Sequence, residues 1–154
     1  MNQLAGHKIK EIWDKYTEGW IGSIIYLILG FIIAFLLNIA LGIALHTDVP
    51  VVAVFSDSMV PTFYRGDMII VYGDKNVSVG DIIVFDCPDR KYPIIHRIYN
   101  ITQNGIIITK GDNNLYPDPP YWKVTKDKIH GKAILKIPLL GWVKIIFVEL
   151  TGLA

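Results

Sequence analysis

The sequence predicts a mainly β protein in which one apolar N-terminal helix precedes a small antiparallel β domain of bent sheets. Three observations predict it. No charged residue occurs from Gly19 to Leu45. Short β-branched runs, punctuated by Gly66-Asp67, Gly73-Asp74, Gly80-Asp81 and Gly111-Asp112, follow from residue 46 onward. Helical periodicity is absent between residues 46 and 130, so this part reads as strands. The length, 154 residues, suits one domain, and 52% of the residues are apolar.

Charge and cysteine content narrow the function. Fifteen Lys and Arg stand against 14 Asp and Glu, a net charge of +1, so nucleic acid is not an expected partner. The single cysteine, Cys87, excludes an internal disulfide and a cysteine-rich metal site. Its neighbours Asp86 and Asp89 disfavour a thiolate, so Cys87 is expected to be structural. No metal or cofactor is implied.

Residues 1–18 mix Lys8, Lys10 and Lys15 with Glu11, Asp14 and Glu18, and place Leu4, Ile9, Ile12, Trp13 and Tyr16 at helical spacing. They read as an amphipathic helix on a membrane surface, with Trp13, Tyr16 and Trp20 at the interface. Residues 19–45 exceed the ~20 residues that cross a bilayer core and are too long for a signal-peptide core. The N-terminal flank carries three lysines, whereas no Lys or Arg follows the span until Arg65. The N-terminus is therefore expected in the cytoplasm and residues 46–137 outside it, as a single-pass protein of the cell membrane. Strands are expected at Val49–Phe55, Met68–Tyr72, Asp81–Phe85, Ile94–Thr102, Gly105–Thr109 and Ile129–Ile137. Asn104-Gly105 marks a hairpin. Residues 138–154 are apolar but interrupted by Lys144 and Glu149, which suits a segment lying in the membrane interface.

Ser56 and Ser58 close the first predicted strand, about a dozen residues after the span. A serine there is ordinarily a turn former. The apolar residues Met59, Val60, Phe63 and Tyr64 around it also suit a nucleophile that meets a membrane-embedded substrate. A serine nucleophile needs a base. Of the four histidines, His7 lies across the membrane, His46 sits at the interface and His130 opens the last strand. His96 lies mid-strand in Ile94-Ile95-His96-Arg97-Ile98, and Arg97 faces the opposite side. Lys75, Lys91 and Lys110 are alternative bases, but none sits in an apolar run that would desolvate it. Asp112, after a glycine, and Asp118, between prolines, are the carboxylates available to orient an imidazole.

Five segments together resemble type I signal peptidases, in the branch found in archaea and the endoplasmic reticulum. They are Ser56-Asp57-Ser58-Met59-Val60-Pro61, Arg65-Gly66-Asp67, Gly80-Asp81-Ile82-Ile83-Val84-Phe85, Ile95-His96-Arg97-Ile98 and Thr109-Lys110-Gly111-Asp112-Asn113-Asn114, in this order behind an apolar segment. The resemblance implies that Ser58 is the nucleophile and that His96 stands where the bacterial branch has lysine. It implies Asp118 as the essential acid, with Asp112 in support. The Ser58 backbone N–H and the Ser56 hydroxyl would hold the oxyanion. Met59, Pro61 and Val54 would line a pocket for small residues, and the substrate strand would pair along Val49–Phe55. The fold would be that of the self-cleaving repressors. The implied function is a membrane-bound serine endopeptidase that removes signal peptides from exported preproteins, with preproteins, membrane lipid and the export translocon as partners. The alternative is a catalytically inactive, membrane-tethered binding subunit.

Overall fold

The computed structural model describes residues 19–152. The surface helix expected over residues 1–18, with Trp13, Tyr16 and His7, lies outside the described residues. The chain divides into two compact units, Met1–Ala40 and Leu41–Ala154.

Helix α1 spans Gly19–Ala44. Among the described residues it is the one helix long and apolar enough to cross a membrane. Large apolar side chains such as Trp20, Phe31, Phe35 and Ile43 are exposed along it. A helix apolar on all sides is one whose solvent is lipid or protein rather than water.

The second unit is built on a six-stranded antiparallel sheet of β1 (Val51–Ala53), β2 (Met68–Tyr72), β3 (Ile82–Phe85), β4 (Ile94–Ile101), β5 (Ile107–Lys110) and β6 (Ile129–Ile137). The order across the sheet is β1-β2-β6-β3-β4-β5. The last strand is therefore central, and β1 and β5 are edges. Lys132 of β6 pairs with both Tyr72 on β2 and Ile83 on β3. Register shifts fall at Ile70/Val71, Val84/Phe85 and Ile98/Asn100. Each bulge adds bend and twist, which is why so short a sheet encloses two cores. Ile83 and Phe85 face one cluster with Cys87, Ile98, Ile107, Trp122 and Val124. Val84 faces the other with Val54, Met59, Ile69, Val71 and Ile95. The period-2 alternation of β3 feeds both.

Expected strands at Met68–Tyr72 and Ile129–Ile137 agree with the structure to the residue. The first is shorter than expected: regular pairing covers only Val51–Ala53, although Val54 still exchanges hydrogen bonds with Asp67 and Gly66. Asn104-Gly105 forms the β4–β5 turn, where Gly105 takes φ +75°. Two single-turn 3₁₀ segments, Pro120–Trp122 and Lys126–Lys128, interrupt the last loop. The C-terminal segment is a helix, α2, over Trp142–Thr151. Ile145 is fully buried, while Val143, Ile146, Phe147 and Leu150 stay exposed.

The start of the second unit is fastened to the sheet. Gly73 N–H donates to the Leu45 carbonyl at 2.8 Å, and the Thr47 hydroxyl to the His130 carbonyl at 2.9 Å. A Cβ at Gly73 would overlap the His46 carbonyl, so only glycine permits this approach. The His130 ring lies between two carboxylates, with Nδ1 2.8 Å from Asp48 and Nε2 3.0 Å from Asp86. The second contact is an ion pair whose geometry falls short of a hydrogen bond. Burial opposes protonation of His130, but Asp86 and Asp48 outweigh it and raise its pKa above the ordinary 6.5. A raised pKa stabilises the fold fully below the unfolded value and loses that contribution as pH rises through the folded one. The unfolding free energy is therefore expected to fall as pH is raised from 6 through neutrality. The fall should flatten in His130→Gln, measured by chemical denaturation at each pH.

Candidate active site

Ser58 sits in the turn that leaves β1. Val60 N–H closes onto the Asp57 carbonyl at 3.2 Å and Phe63 N–H onto Met59 at 2.9 Å. The Val60–Pro61 peptide is cis. Met59 is fully buried in the second core cluster and pins the turn from beneath. From the other side, Asn113 N–H donates to the Ser58 carbonyl at 2.8 Å, and its amide reaches the Asp57 carbonyl at 3.2 Å. Gly111 makes this docking possible, because a Cβ there would lie 2.6 Å from the Ser58 carbonyl oxygen.

His96 lies mid-strand on β4, opposite Ile83. Its Nε2 is 3.1 Å from Ser58 Oγ, and its Nδ1 is 2.6 Å from Asp118 Oδ2. The His96 and Asp118 side chains are only 7% and 8% exposed, so their contact is shielded from water. Asp118 is held by its own N–H, which donates to the Thr109 carbonyl at 2.8 Å. The Thr109 hydroxyl donates to the same Oδ2 at 2.6 Å. A carboxylate only accepts, so Nδ1 carries the proton and Nε2 presents its lone pair to the serine hydroxyl. Ser56 Oγ is 3.1 Å from Ser58 Oγ.

Of the two carboxylates read from the sequence, only Asp118 meets the imidazole. Asp112 belongs to the other face of β4. Arg97 grips it in a fork, Nε to Oδ1 and Nη2 to Oδ2 both at 2.8 Å, and Thr62 donates to Oδ2 at 2.5 Å. The Arg97 hydrogen bonds hold the Asp112 carboxyl below its ordinary pKa, against the opposing effect of burial. Arg97 is the residue whose type signals this pairing in the sequence. A guanidinium in a strand of apolar residues needs a carboxylate, but Asp89 and Asp86 are nearer to Arg97 in sequence, so it is the fold that selects Asp112. Thr109 and Asn113 had no such signal, because their roles depend on the folded loop. Asp112→Ala is expected to cost about 2 kcal/mol of stability, since it breaks charge-assisted bonds at a half-exposed guanidinium. Chemical denaturation measures it.

The pocket residues divide. Val54 lines a cleft of about 680 Å³ that runs past Ser58, His96 and Asp118. Met59 and Pro61 do not line it. Met59 is fully buried in the core, and Pro61 is exposed. One wall of the cleft is Val52–Ser56 and the other Asp89–His96. Cys87 is buried and free, and burial raises its thiol pKa. Among the described residues no group of three or more His, Cys, Asp or Glu side chains could hold a metal ion.

A hydroxyl, an imidazole and a carboxylate in hydrogen-bonded series are the constellation of a serine hydrolase. A family model described as Peptidase S24-like matches residues 36–134. The catalytic subunit SEC11 of the signal peptidase complex of Scheffersomyces stipitis is 35% identical over 126 residues, 75% of this chain and 76% of that protein. SEC11 of Zygosaccharomyces rouxii is 34% identical over 123 residues, 73% and 74% of the two chains, and that of Candida dubliniensis 32% over 126, 75% and 76%. The chain belongs to the Peptidase S24-like family, and within it to the type I signal peptidases of the endoplasmic-reticulum branch.

Proposed function

We propose that this membrane-bound serine endopeptidase removes N-terminal signal peptides from exported preproteins with Ser58 as nucleophile, His96 as base and Asp118 as the acid that orients it. The series Ser58 Oγ–His96 Nε2 at 3.1 Å and His96 Nδ1–Asp118 at 2.6 Å carries the reading. Ser58 Oγ attacks the scissile carbonyl while Nε2 takes its proton and later returns it to the leaving amine. Asp118 fixes the tautomer and stabilises the imidazolium. The Ser58 N–H and the Ser56 hydroxyl stabilise the oxyanion, a donor of this kind being worth about 3 kcal/mol. When Ser58 donates to His96, Ser56 is left to donate to Ser58, which supports its place beside the nucleophile. Asp112 supports the site indirectly, by bracing the loop that carries Asn113 against the Ser58 turn.

The substrate strand adds to the outer edge of β1, which pairs with β2 on one side only. Val54 contributes to the pocket for small residues. Residues 46–137 form the peptidase domain, outside the cytoplasm. The N-terminus is cytoplasmic, supported by Lys8, Lys10 and Lys15. The cell membrane is the proposed location. Residues 138–154 rest in the interface, supported by the exposed Val143, Phe147 and Leu150. Lipid and the export translocon are the proposed partners beside the preprotein; the SEC11 relatives are named as subunits of a signal peptidase complex.

The test is cleavage by the purified full-length chain in detergent, without other proteins. A preprotein with an Ala-X-Ala site is expected to be cut after the second alanine. Binding without cleavage would instead assign the chain to a non-catalytic subunit.

A further inference from the structure

One aromatic residue at the end of the cleft has no part in the mechanism above. Trp122 closes the single-turn 3₁₀ segment that follows Asp118. It lines the cleft, and it also lines a second cavity of about 160 Å³ bounded by Thr102, Ile107, Thr109 and Val124. Asp118 lines both spaces as well, so the indole and the triad carboxylate together divide them. Trp122 is only 8% exposed, and two contacts fix it. Its ring packs at 6.3 Å from Phe85. Its Nε1–H donates to Asp89 Oδ2 at 3.1 Å, and the hydroxyl of neighbouring Tyr121 donates to the same oxygen at 2.6 Å.

Asp89 belongs to the loop between β3 and β4, which forms the opposite wall of the cleft. The hydrogen bonds therefore run from one wall to the segment that carries Asp118. Pro117, Pro119 and Pro120 stiffen that segment, so the position of the indole is tied to that of the triad carboxylate. The Asp89 carboxyl sits below its ordinary pKa, because Tyr121 and then Trp122 donate to it.

We propose that Trp122 is a specificity-determining residue: its indole walls off the second cavity and so limits the size of the substrate side chain that enters the cleft. Asp89 is a positioning residue that acts through it. The inference rests on the signal-peptidase reading of the same cleft. Without the indole the cleft opens into the cavity behind, where Ile106, Ile107 and Val124 lie beside the polar Thr109 and Asp118. A leucine or phenylalanine would then find added space and apolar contact with Ile106, Ile107 and Val124.

The test uses the full-length protein in detergent and preproteins in which the residue before the cut, or the one two places upstream, is enlarged from Ala to Val, Leu and Phe. The readout is kcat/KM for each enlarged site relative to the alanine site. An opened apolar pocket is expected to raise that ratio by about tenfold or more in Trp122→Ala. Trp122→Phe keeps most of the partition and should give a smaller rise in the same direction. Asp89→Ala should also raise the ratio, with little change at the alanine site beyond that of a loosened wall. A ratio unchanged in Trp122→Ala overturns the proposal. If that variant does not fold, shown by loss of its thermal transition, Trp122→Phe decides, and an unchanged ratio there overturns it equally. A wild-type chain that leaves even the alanine site uncut overturns the signal-peptidase reading itself, and this inference with it.

Discussion

Ser58→Ala is expected to lower the rate of preprotein cleavage by about 10⁶-fold, as loss of a triad serine does when hydroxyl and imidazole act as one unit. The fold should be untouched. Ser58 Oγ has the polar partners His96 Nε2 and Ser56 Oγ, each at 3.1 Å. The turn around it is held by backbone bonds and by Met59 beneath. Loss of the oxygen therefore leaves no apolar void, and the thermal transition of the variant should match that of the wild type. His96→Ala should fall to the same residual rate, and the double variant no further, because neither group acts without the other. Cleavage of an Ala-X-Ala preprotein at a wild-type rate by either single variant would rule out the assigned mechanism.

Asp118→Asn is the second large effect, about 10⁴-fold in kcat. The substitution keeps the volume and changes which atoms accept. Oδ2 now accepts from both His96 Nδ1 and the Thr109 hydroxyl, at 2.6 Å each. An amide that turns its nitrogen toward the ring would select the tautomer protonated at Nε2. That nitrogen could then no longer take the serine proton. Stability should change little, since the side chain remains buried and bonded. Asp112→Asn is the control, because it weakens the Arg97 fork and not the imidazole. Its effect should fall on stability more than on kcat. A larger loss of kcat in Asp112→Asn than in Asp118→Asn would exchange the two roles.

Much of this site was legible in the chain, and the limits have physical causes. The apolar span and the alternating strands follow from composition and period, so α1, β2 and β6 appear close to where the sequence places them. Ser58 and His96 were set apart by the family resemblance, because by residue type a serine after a strand end is ordinarily a turn former and a histidine in an apolar strand ordinarily belongs to the core. Residue type could not separate Asp112 from Asp118, because both lie in one polar loop. The separation comes from how the loop closes: the Asp118 N–H returns to the Thr109 carbonyl, while Asp112 remains beside Arg97. Met59 misled because an apolar residue beside a nucleophile suits a pocket and a core equally. The cis peptide between Val60 and Pro61 and the packing of Met59 are tertiary outcomes. Trp122 carried no local signal, because its importance depends on which two spaces it divides.

His96 and Arg97 are neighbours on β4, and each faces its own carboxylate on a different side of the strand. That arrangement has a consequence for how the gene can change. A slip of β4 by one residue exchanges the faces and puts a guanidinium, which cannot take up a proton, beside the serine. A slip by two brings Ile94 or Ile98 to the same place, and an alkyl chain is no base. No shifted register leaves a partly working enzyme. Insertions and deletions between Ile94 and Ile98 are therefore all-or-none for activity, whereas the bulge at Ile98/Asn100 shows that an extra residue is absorbed beyond that point, as it is in the flanking loops.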